Sequence, residues 1–317
     1  MAKLSICDFN GCLVSSPYGY RPSALASGIF SSLFSLSLVG CLPIAAIVSR
    51  GGWLHFTVPV CIACVFEILG YGARIASWSD PWGVRRFIVS TAFLTVAPAI
   101  HITIAKVVPM LGTKHSLVDP SHYKKLLVVD GLGLVLQAAA LAASFSSPDL
   151  DLSTGVEVVD GALVATGLAV QLLTLSASGG LFGAVLFRAS AAAGERHHGH
   201  GGARYVALLG TRVKALVAVL AISLLCLSVR GLYAIIAAAS GFGAGGLARH
   251  EALFAGFDGL MVLQAVVGLV AVHPAYFLDG APKARARASE NGIMGCRLES
   301  RTNGRGLVSW GRVFRFV

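Results

Sequence analysis

The chain has 317 residues, 56% of them hydrophobic and 13% charged, with a formal net charge of +10 and a mean hydropathy of +0.76. Soluble domains run near about 45–50% apolar and about 25% charged, so a water-soluble globular fold is excluded for want of polar surface to cover it. The positive charge does not mark a nucleic-acid binder, because the Lys and Arg residues are dispersed between apolar blocks and gathered in one tail.

Residues 1–23 lack the continuous apolar core and small-residue cleavage site of a secretory signal. They are expected to form an extracellular N-terminal segment, in which Cys7 and Cys12 either pair or stay as thiols. Seven apolar blocks follow: 24–48, 53–75, 87–111, 126–146, 160–187, 213–239 and 251–272. Each approaches or exceeds the roughly 20 residues a helix needs to cross about 30 Å of hydrocarbon. Backbone groups in lipid must be bonded within their own segment, so helices are expected rather than open strands. Pro43, Pro98, Gly167 and the pair Gly179 and Gly180 fall inside these blocks, where they permit kinks and close helix contacts. The predicted fold class is therefore all-α: a polytopic membrane bundle of seven transmembrane helices spanning 24–273. Residues 274–317 follow as a basic cytoplasmic tail, read from its composition as largely disordered.

Alternate connections differ in positive charge. One set holds Arg50, then Lys114, Lys124 and Lys125, then Arg188, Arg196, Arg204 and Arg212, and eight more Lys and Arg in the tail; the other holds only Lys3, Arg21, Arg85, Arg86 and Arg249. Cytoplasmic connections carry the excess. The N-terminus is thus expected outside and the C-terminus in the cytoplasm, with the acidic loop of Asp149, Asp151 and Glu157 outside.

Ionisable side chains inside membrane helices are costly, face the bundle interior, and mark candidate sites. In the second block Glu67, Gly70, Tyr71 and Arg74 recur at i, i+3, i+4 and i+7 and share one stripe. Glu67 needs a partner there, whereas Arg74, near the helix end, is expected to snorkel to the outer surface. Helix rise places Glu67, Arg230 of the sixth block and Asp258 of the seventh in the same half of the bilayer. They are expected to form one charge cluster, serving either as a functional site or as a staple between helices. Asp130 and Gln137, seven apart on one face, form with Gln171 and Gln264 a second polar set: either a polar track or plain interhelical hydrogen bonding. Cys61 and Cys64 are spaced CxxC with no second pair, and His197, His198 and His200 sit in a Gly-rich loop. Neither pattern is read as a metal site, and no cofactor or catalytic residue is expected.

Several ordered motifs carry a resemblance: Tyr18-Gly19-Tyr20-Arg21-Pro22-Ser23, Glu67-x-x-Gly70-Tyr71-x-x-Arg74, Ala97-Pro98-Ala99, Asp130 with Gln137, Gly167-Leu168-x-x-Gln171, Arg230, His250-Glu251, Phe257-Asp258 and His273-Pro274. In this order the chain resembles the fungal RTA-like proteins, also called the lipid-translocating exporter family, from about Tyr18 to Pro274. The resemblance implies a fungal seven-helix membrane protein with relatives linked to export of sphingoid long-chain bases, resistance to sterol-like amphiphiles and haem-precursor handling. It also adds Glu251 to the site residues. The chain departs from the family pattern where an Arg and a Glu after Arg230 are replaced by Ala234 and Ala237, where Ser90 replaces a Gln, and where Ala139-Ala140 replaces a glycine pair. Losing both charges together is sensible, since either alone would be left buried and unpaired.

The function expected from this reading is translocation of amphipathic lipids or lipid-like toxic compounds, non-enzymatic, in the plasma membrane or an internal membrane. Membrane lipids and a small amphipathic substrate are the expected partners, with no nucleic acid and the oligomeric state open. The alternative is a seven-helix receptor or stress sensor. A retinal pigment is disfavoured, because the seventh block has no lysine to form a Schiff base.

Overall fold

A computed structural model of the chain describes residues 16, 18–48, 54–90, 96–111, 115–119, 121–146, 161–195, 211–239 and 250–274. The helices are α1 (Ala24–Val48), α2 (Leu54–Ser77), α3 (Val84–Ser90), α4 (Ala97–Leu111), α5 (Ser121–Ser146), α6 (Gly161–Glu195), α7 (Thr211–Ala239) and α8 (Glu251–Ala271), whose turn Ala255–Leu260 is wound as a π-helix. No strand occurs among the described residues. Cys7, Cys12, Cys296, the acidic loop, the histidine loop and the tail beyond residue 274 lie outside them.

Local chemistry sets the helix ends. Ser23, after Pro22, caps α1 by accepting the Ala26 amide on its hydroxyl at 3.2 Å. The turn before it needs Gly19, whose φ of 70° is left-handed and whose amide reaches Ser16 O at 2.9 Å. Between α2 and α3 the run Asp80-Pro81-Trp82-Gly83 reverses the chain, pinned by an Asp80–Arg86 ion pair at 3.3 Å. The block 87–111, expected as one helix, is instead described as α3 and α4 on either side of residues 91–95, which lie outside the described set. Pro98 fits the start of α4 because a first-turn residue has no helical N–H bond to lose.

The helices pack as a ring in chain order: α1 on α2, α2 on α3 and α4, α4 on α5, α5 on α6, α6 on α7, α7 on α8, and α8 back on α1. α4 leans inward and also meets α6 and α7. Around it lies the main core, including Phe34, Phe56, Val60, Ile100, Ile104, Phe182, Leu220, Val266 and Leu269. A smaller cluster of Tyr18, Phe87, Ile88, Leu168, Ala234 and Ala238 closes the end where the chain enters α1, called here the N-terminal face.

The outside of the ring is as apolar as the inside. Leu36, Val58, Leu69, Leu132, Val135, Leu173, Phe187, Leu225 and Leu232 are all exposed. Six helices are long and apolar enough to cross a membrane, yet only 22–39% of each spanning window is buried within the bundle, so most of their apolar surface points outward. α4, from Ala97 to Pro109, is apolar but shorter. Water could not solvate such a surface without a large hydrophobic penalty. The chain is an integral, multi-pass membrane protein.

Candidate functional site

Three helices bring three charges to one point near the N-terminal face. Arg230 of α7 donates from Nε to Asp258 Oδ1 of α8 at 2.8 Å, while its Nη2 stands 3.8 Å from Glu67 Oε1 of α2. The side chains of Arg230, Asp258 and Glu67 are 3%, 5% and 11% exposed, so the group is inside the protein. The two contacts are unequal: the first is a charge-assisted hydrogen bond, whereas 3.8 Å is too long for one. Two carboxyl groups face one guanidinium, and Glu67 is the less tightly held and the more exposed of the two.

The π-helical turn shapes the α8 side of this site. It contains Asp258 and Gly259, both buried, and such turns insert a residue that re-aims its neighbours. Gly259 is required by a close approach: a Cβ there would collide with the Tyr71 hydroxyl and lie 3.1 Å from the Phe30 ring. Tyr71 of α2 stacks on Phe30 and Phe34 of α1 at ring distances of 5.1 and 5.9 Å. Its hydroxyl is buried without a hydrogen-bond partner among the described residues.

One helical turn beyond Tyr71, Arg74 departs from expectation. It does not snorkel outward but is 4% exposed, because the N-terminal segment folds over it. Its Nη2 donates to the Tyr20 hydroxyl at 2.7 Å and lies 3.9 Å from Glu251 Oε1. Its guanidinium sits 3.9 Å above the Phe254 ring, with Tyr18 and Tyr20 at 5.4 and 5.8 Å. Glu251 Oε1 also accepts the Ser23 amide at 2.7 Å. Tyr18 bridges Ser77 and Ser90 at 3.1 and 3.0 Å, and Arg21 stacks on Trp78 at 4.6 Å while donating to its carbonyl. Burial raises the Tyr20 phenol above its ordinary 10.0, and the Arg74 charge beside it only partly offsets this.

A cavity is lined by Phe66, Glu67, Gly70, Tyr71, Arg74, Ser90, Arg230, Phe254 and Asp258, which includes the whole α2 stripe. Phe66, in its wall, is 41% exposed on the outer surface of the bundle. A second cavity, lined by Leu168, Gln171, Leu172, Leu175, Leu227, Arg230 and Gly231, adjoins the other side of Arg230. Arg230 thereby stands between the charge cluster and Gln171.

Gln171 belongs to the seam between α5 and α6. The two helices meet at Gly133 and Gly167, each followed four residues later by a glutamine. A Cβ at Gly133 would lie 2.8 Å from Gly167 O and 3.1 Å from Gln171 Cγ; one at Gly167 would lie 2.7 Å from Gly133 O and 2.8 Å from Gln137 Cγ. The contact is reciprocal. Asp130, Gln137 and Gln171 are all buried, and among the described residues Gln137 Oε1, Asp130 Oδ2 and both amide atoms of Gln171 have no hydrogen-bond partner. His101 of α4 reaches α6 through Nδ1, which lies 2.7 Å from Ser178 Oγ.

The residues singled out by sequence thus fall into two groups: Glu67, Tyr71, Arg74, Arg230, Glu251 and Asp258 at the N-terminal face, and Asp130, Gln137 and Gln171 along the seam. Gln264, expected with the second group, is exposed instead, on the outward side of α8. Sequence reasoning missed the roles of Tyr20, Phe254, Gly259, His101 and Ser178, and of Thr174, whose hydroxyl lies 3.1 Å from Asp130 Oδ1. The spacing of Glu251 and Phe254 on one helix turn was a signal for the Arg74 contact; Tyr20 was marked by its place in the Tyr18 to Ser23 motif, but not as a partner of Arg74. Among the described residues no three His, Cys, Asp or Glu side chains are grouped as metal ligands would be.

No curated protein matches the chain, and no solved structure matches it. The model of one protein family, described as RTA1 like protein, matches residues 60–281, a stretch that holds both polar groups and begins after the Tyr18 to Ser23 series. As that match covers more than half of the sequence, the chain belongs to the RTA1-like protein family.

Proposed function

We propose that this protein moves amphipathic lipids or lipid-like toxic compounds across a membrane, the plasma membrane first, with no covalent chemistry of its own. In this reading the fold has seven spans, α3 and α4 together supplying the third, with the N-terminus outside and the basic tail in the cytoplasm. The distribution of Lys and Arg between alternate connections supports that orientation.

The observation that carries the proposal is Glu67, a carboxyl group that Arg230 approaches only to 3.8 Å, in a cavity whose wall reaches the lipid-facing surface at Phe66. An amphiphile whose head is cationic would find its counter-charge there, while its tail stayed in hydrocarbon beside Phe66. Asp258 is already satisfied by Arg230, so Glu67 is the group left to recognise the head. Membrane lipids and a small amphipathic substrate are then the partners.

The test is uptake and efflux of a fluorescent long-chain amine by the purified protein in liposomes. Glu67→Gln keeps shape and removes charge, so it should lower transport at least tenfold with normal membrane abundance. Asp258→Asn should lower it less. Transport unchanged in Glu67→Gln would refute the role of this site, and ligand-dependent signalling in cells without any transport in liposomes would favour a receptor. A cysteine placed at 149–157 should label from outside intact cells and one at 196–204 should not; the reverse pattern would overturn the orientation.

A further inference from the structure

Asp130 is wholly buried on the inward side of α5. Its Oδ1 lies 3.1 Å from the Thr174 hydroxyl of α6, and its Oδ2 has no partner among the described residues. Among the described residues no cation pairs with it. Of the helices packed on α5, α6 carries no charged side chain between residues 162 and 187; α4 brings His101 and Lys106, and α3 brings Arg85 and Arg86, the latter paired with Asp80. None of these forms an ion pair with Asp130, and the charged side chains of α5 itself, Lys124 and Lys125, are exposed in its first turn beside His122.

The hydrogen atoms then decide the charge state. The Thr174 hydroxyl is 2.8 Å from the Gln171 carbonyl oxygen of its own helix as well as 3.1 Å from Asp130 Oδ1. It has one hydrogen for two acceptors. If Asp130 were ionised, it would take that hydrogen, leaving two oxygens facing each other at 2.8 Å and an unpaired charge on Oδ2 in the protein interior, which is among the costliest arrangements available. If Asp130 Oδ1 carries a proton, every contact is made: Asp130 donates to Thr174, Thr174 donates to the Gln171 carbonyl, and Oδ2 is an uncharged carbonyl oxygen.

We propose that Asp130 is a proton-binding site, a carboxylic acid that holds a proton on Oδ1 at neutral pH while α5 and α6 are closed on each other at Gly133 and Gly167. Separation of the seam admits water to Oδ2 and releases the proton. The use of that proton to drive an exported amphiphile rests on the function proposed above; the site itself does not.

Infrared spectroscopy of the full-length protein in liposomes tests the site directly. At neutral pH the wild type should show the carbonyl stretch of a protonated, buried carboxyl group, shifting in heavy water; Asp130→Asn should lack this band, while Glu67→Gln and Asp258→Asn retain it. Thr174→Val keeps the acid and removes its acceptor, so the band should persist and move to higher frequency. Identical carboxyl spectra in wild type and Asp130→Asn would overturn the proposal, as would a band that stays put in Thr174→Val. A protein that transports nothing yet keeps the Asp130 band would refute export and leave the proton site standing.

Discussion

The N-terminal face and the α5–α6 seam solve the same problem in opposite ways. Both bury polar side chains within a few helical turns of each other in a chain that is otherwise apolar. At the face, charges from distant segments are matched: Arg230 with Asp258 and Glu67, and Arg74 with Glu251 and the Tyr20 hydroxyl. Along the seam, among the described residues, there is one acid and no matching base, and the amides of Gln137 and Gln171 leave three of their four polar atoms without partners. The contrast teaches that the face holds its paired members in place, since each is costly to leave alone, with Glu67 the one held loosely. The seam holds its helices by glycine contact instead, and its polar groups keep spare hydrogen-bonding capacity for a proton or a ligand.

The sharpest way to break this contrast is to remove the shared cation. Arg230→Ala strands Asp258 and Glu67 together in the interior, and loss of one partner of a buried pair costs about 3–5 kcal/mol. Thermal unfolding in detergent should show the largest loss of any single change described here. Adding Asp258→Asn and Glu67→Gln in the same chain should return much of it, because contacting charges are not additive. If the triple variant is as unstable as the sum of its parts, the three residues do not act as one cluster.

The seam should instead be sensitive to size. Gly133→Ala places a methyl group 2.8 Å from the Gly167 carbonyl oxygen, a backbone atom that cannot move aside alone. Forcing the helices apart should cost about 1–3 kcal/mol, as overpacking does elsewhere. Gly131→Ala, two residues away with nothing within 4 Å of its added carbon, should cost nothing measurable. Equal stabilities for the two variants, read from the same unfolding curves, would mean that the glycine contact does not hold the seam.

These two regions were not equally legible in the sequence. Most helix ends were, since α1 spans the expected 24–48 and the ends of α2, α7 and α8 differ from the expected bounds by no more than two residues, because long apolar runs leave the backbone one way to satisfy itself; α5 instead begins at Ser121 rather than 126 and α6 runs on to Glu195 rather than 187, where polar and small residues extend the helix beyond the apolar run. The cluster of Glu67, Arg230 and Asp258 was also legible, because a charge in lipid demands a partner and helix rise fixes its depth. Arg74 was misread for a tertiary reason: residues 18–23 come from elsewhere in the chain to cover it, and no periodicity within α2 encodes that cover. The seam was legible as a set of polar residues but not as a pairing. That Gly133 lies against Gly167, and that Thr174 shares one hydrogen between two acceptors, depends on the register of α5 against α6, which residue spacing within either helix does not fix.

The smallest effect is expected from pH at the N-terminal cover, and it sharpens the contrast by acting on one region alone. Tyr20 accepts a hydrogen bond from Arg74, and its phenol is raised above 10.0 chiefly by burial, more than Arg74 lowers it. The folded protein therefore holds the Tyr20 proton more tightly than the unfolded chain does. The stabilisation from this difference is fully present below about pH 10 and is lost as pH rises through the folded value, at up to about 1.4 kcal/mol per pH unit for one proton. Tyr20→Phe cannot titrate, so its unfolding temperature should fall less steeply above pH 10 than that of the wild type. Near pH 7 it should lie modestly lower, because Arg74 loses a neutral acceptor while Glu251 and the Phe254 ring stay in place. Gly133→Ala should keep the wild-type alkaline slope, since it leaves the cover intact. If instead Gly133→Ala flattens the slope as Tyr20→Phe does, the two regions are coupled, and the face is not the independent, charge-paired cap that its contacts describe.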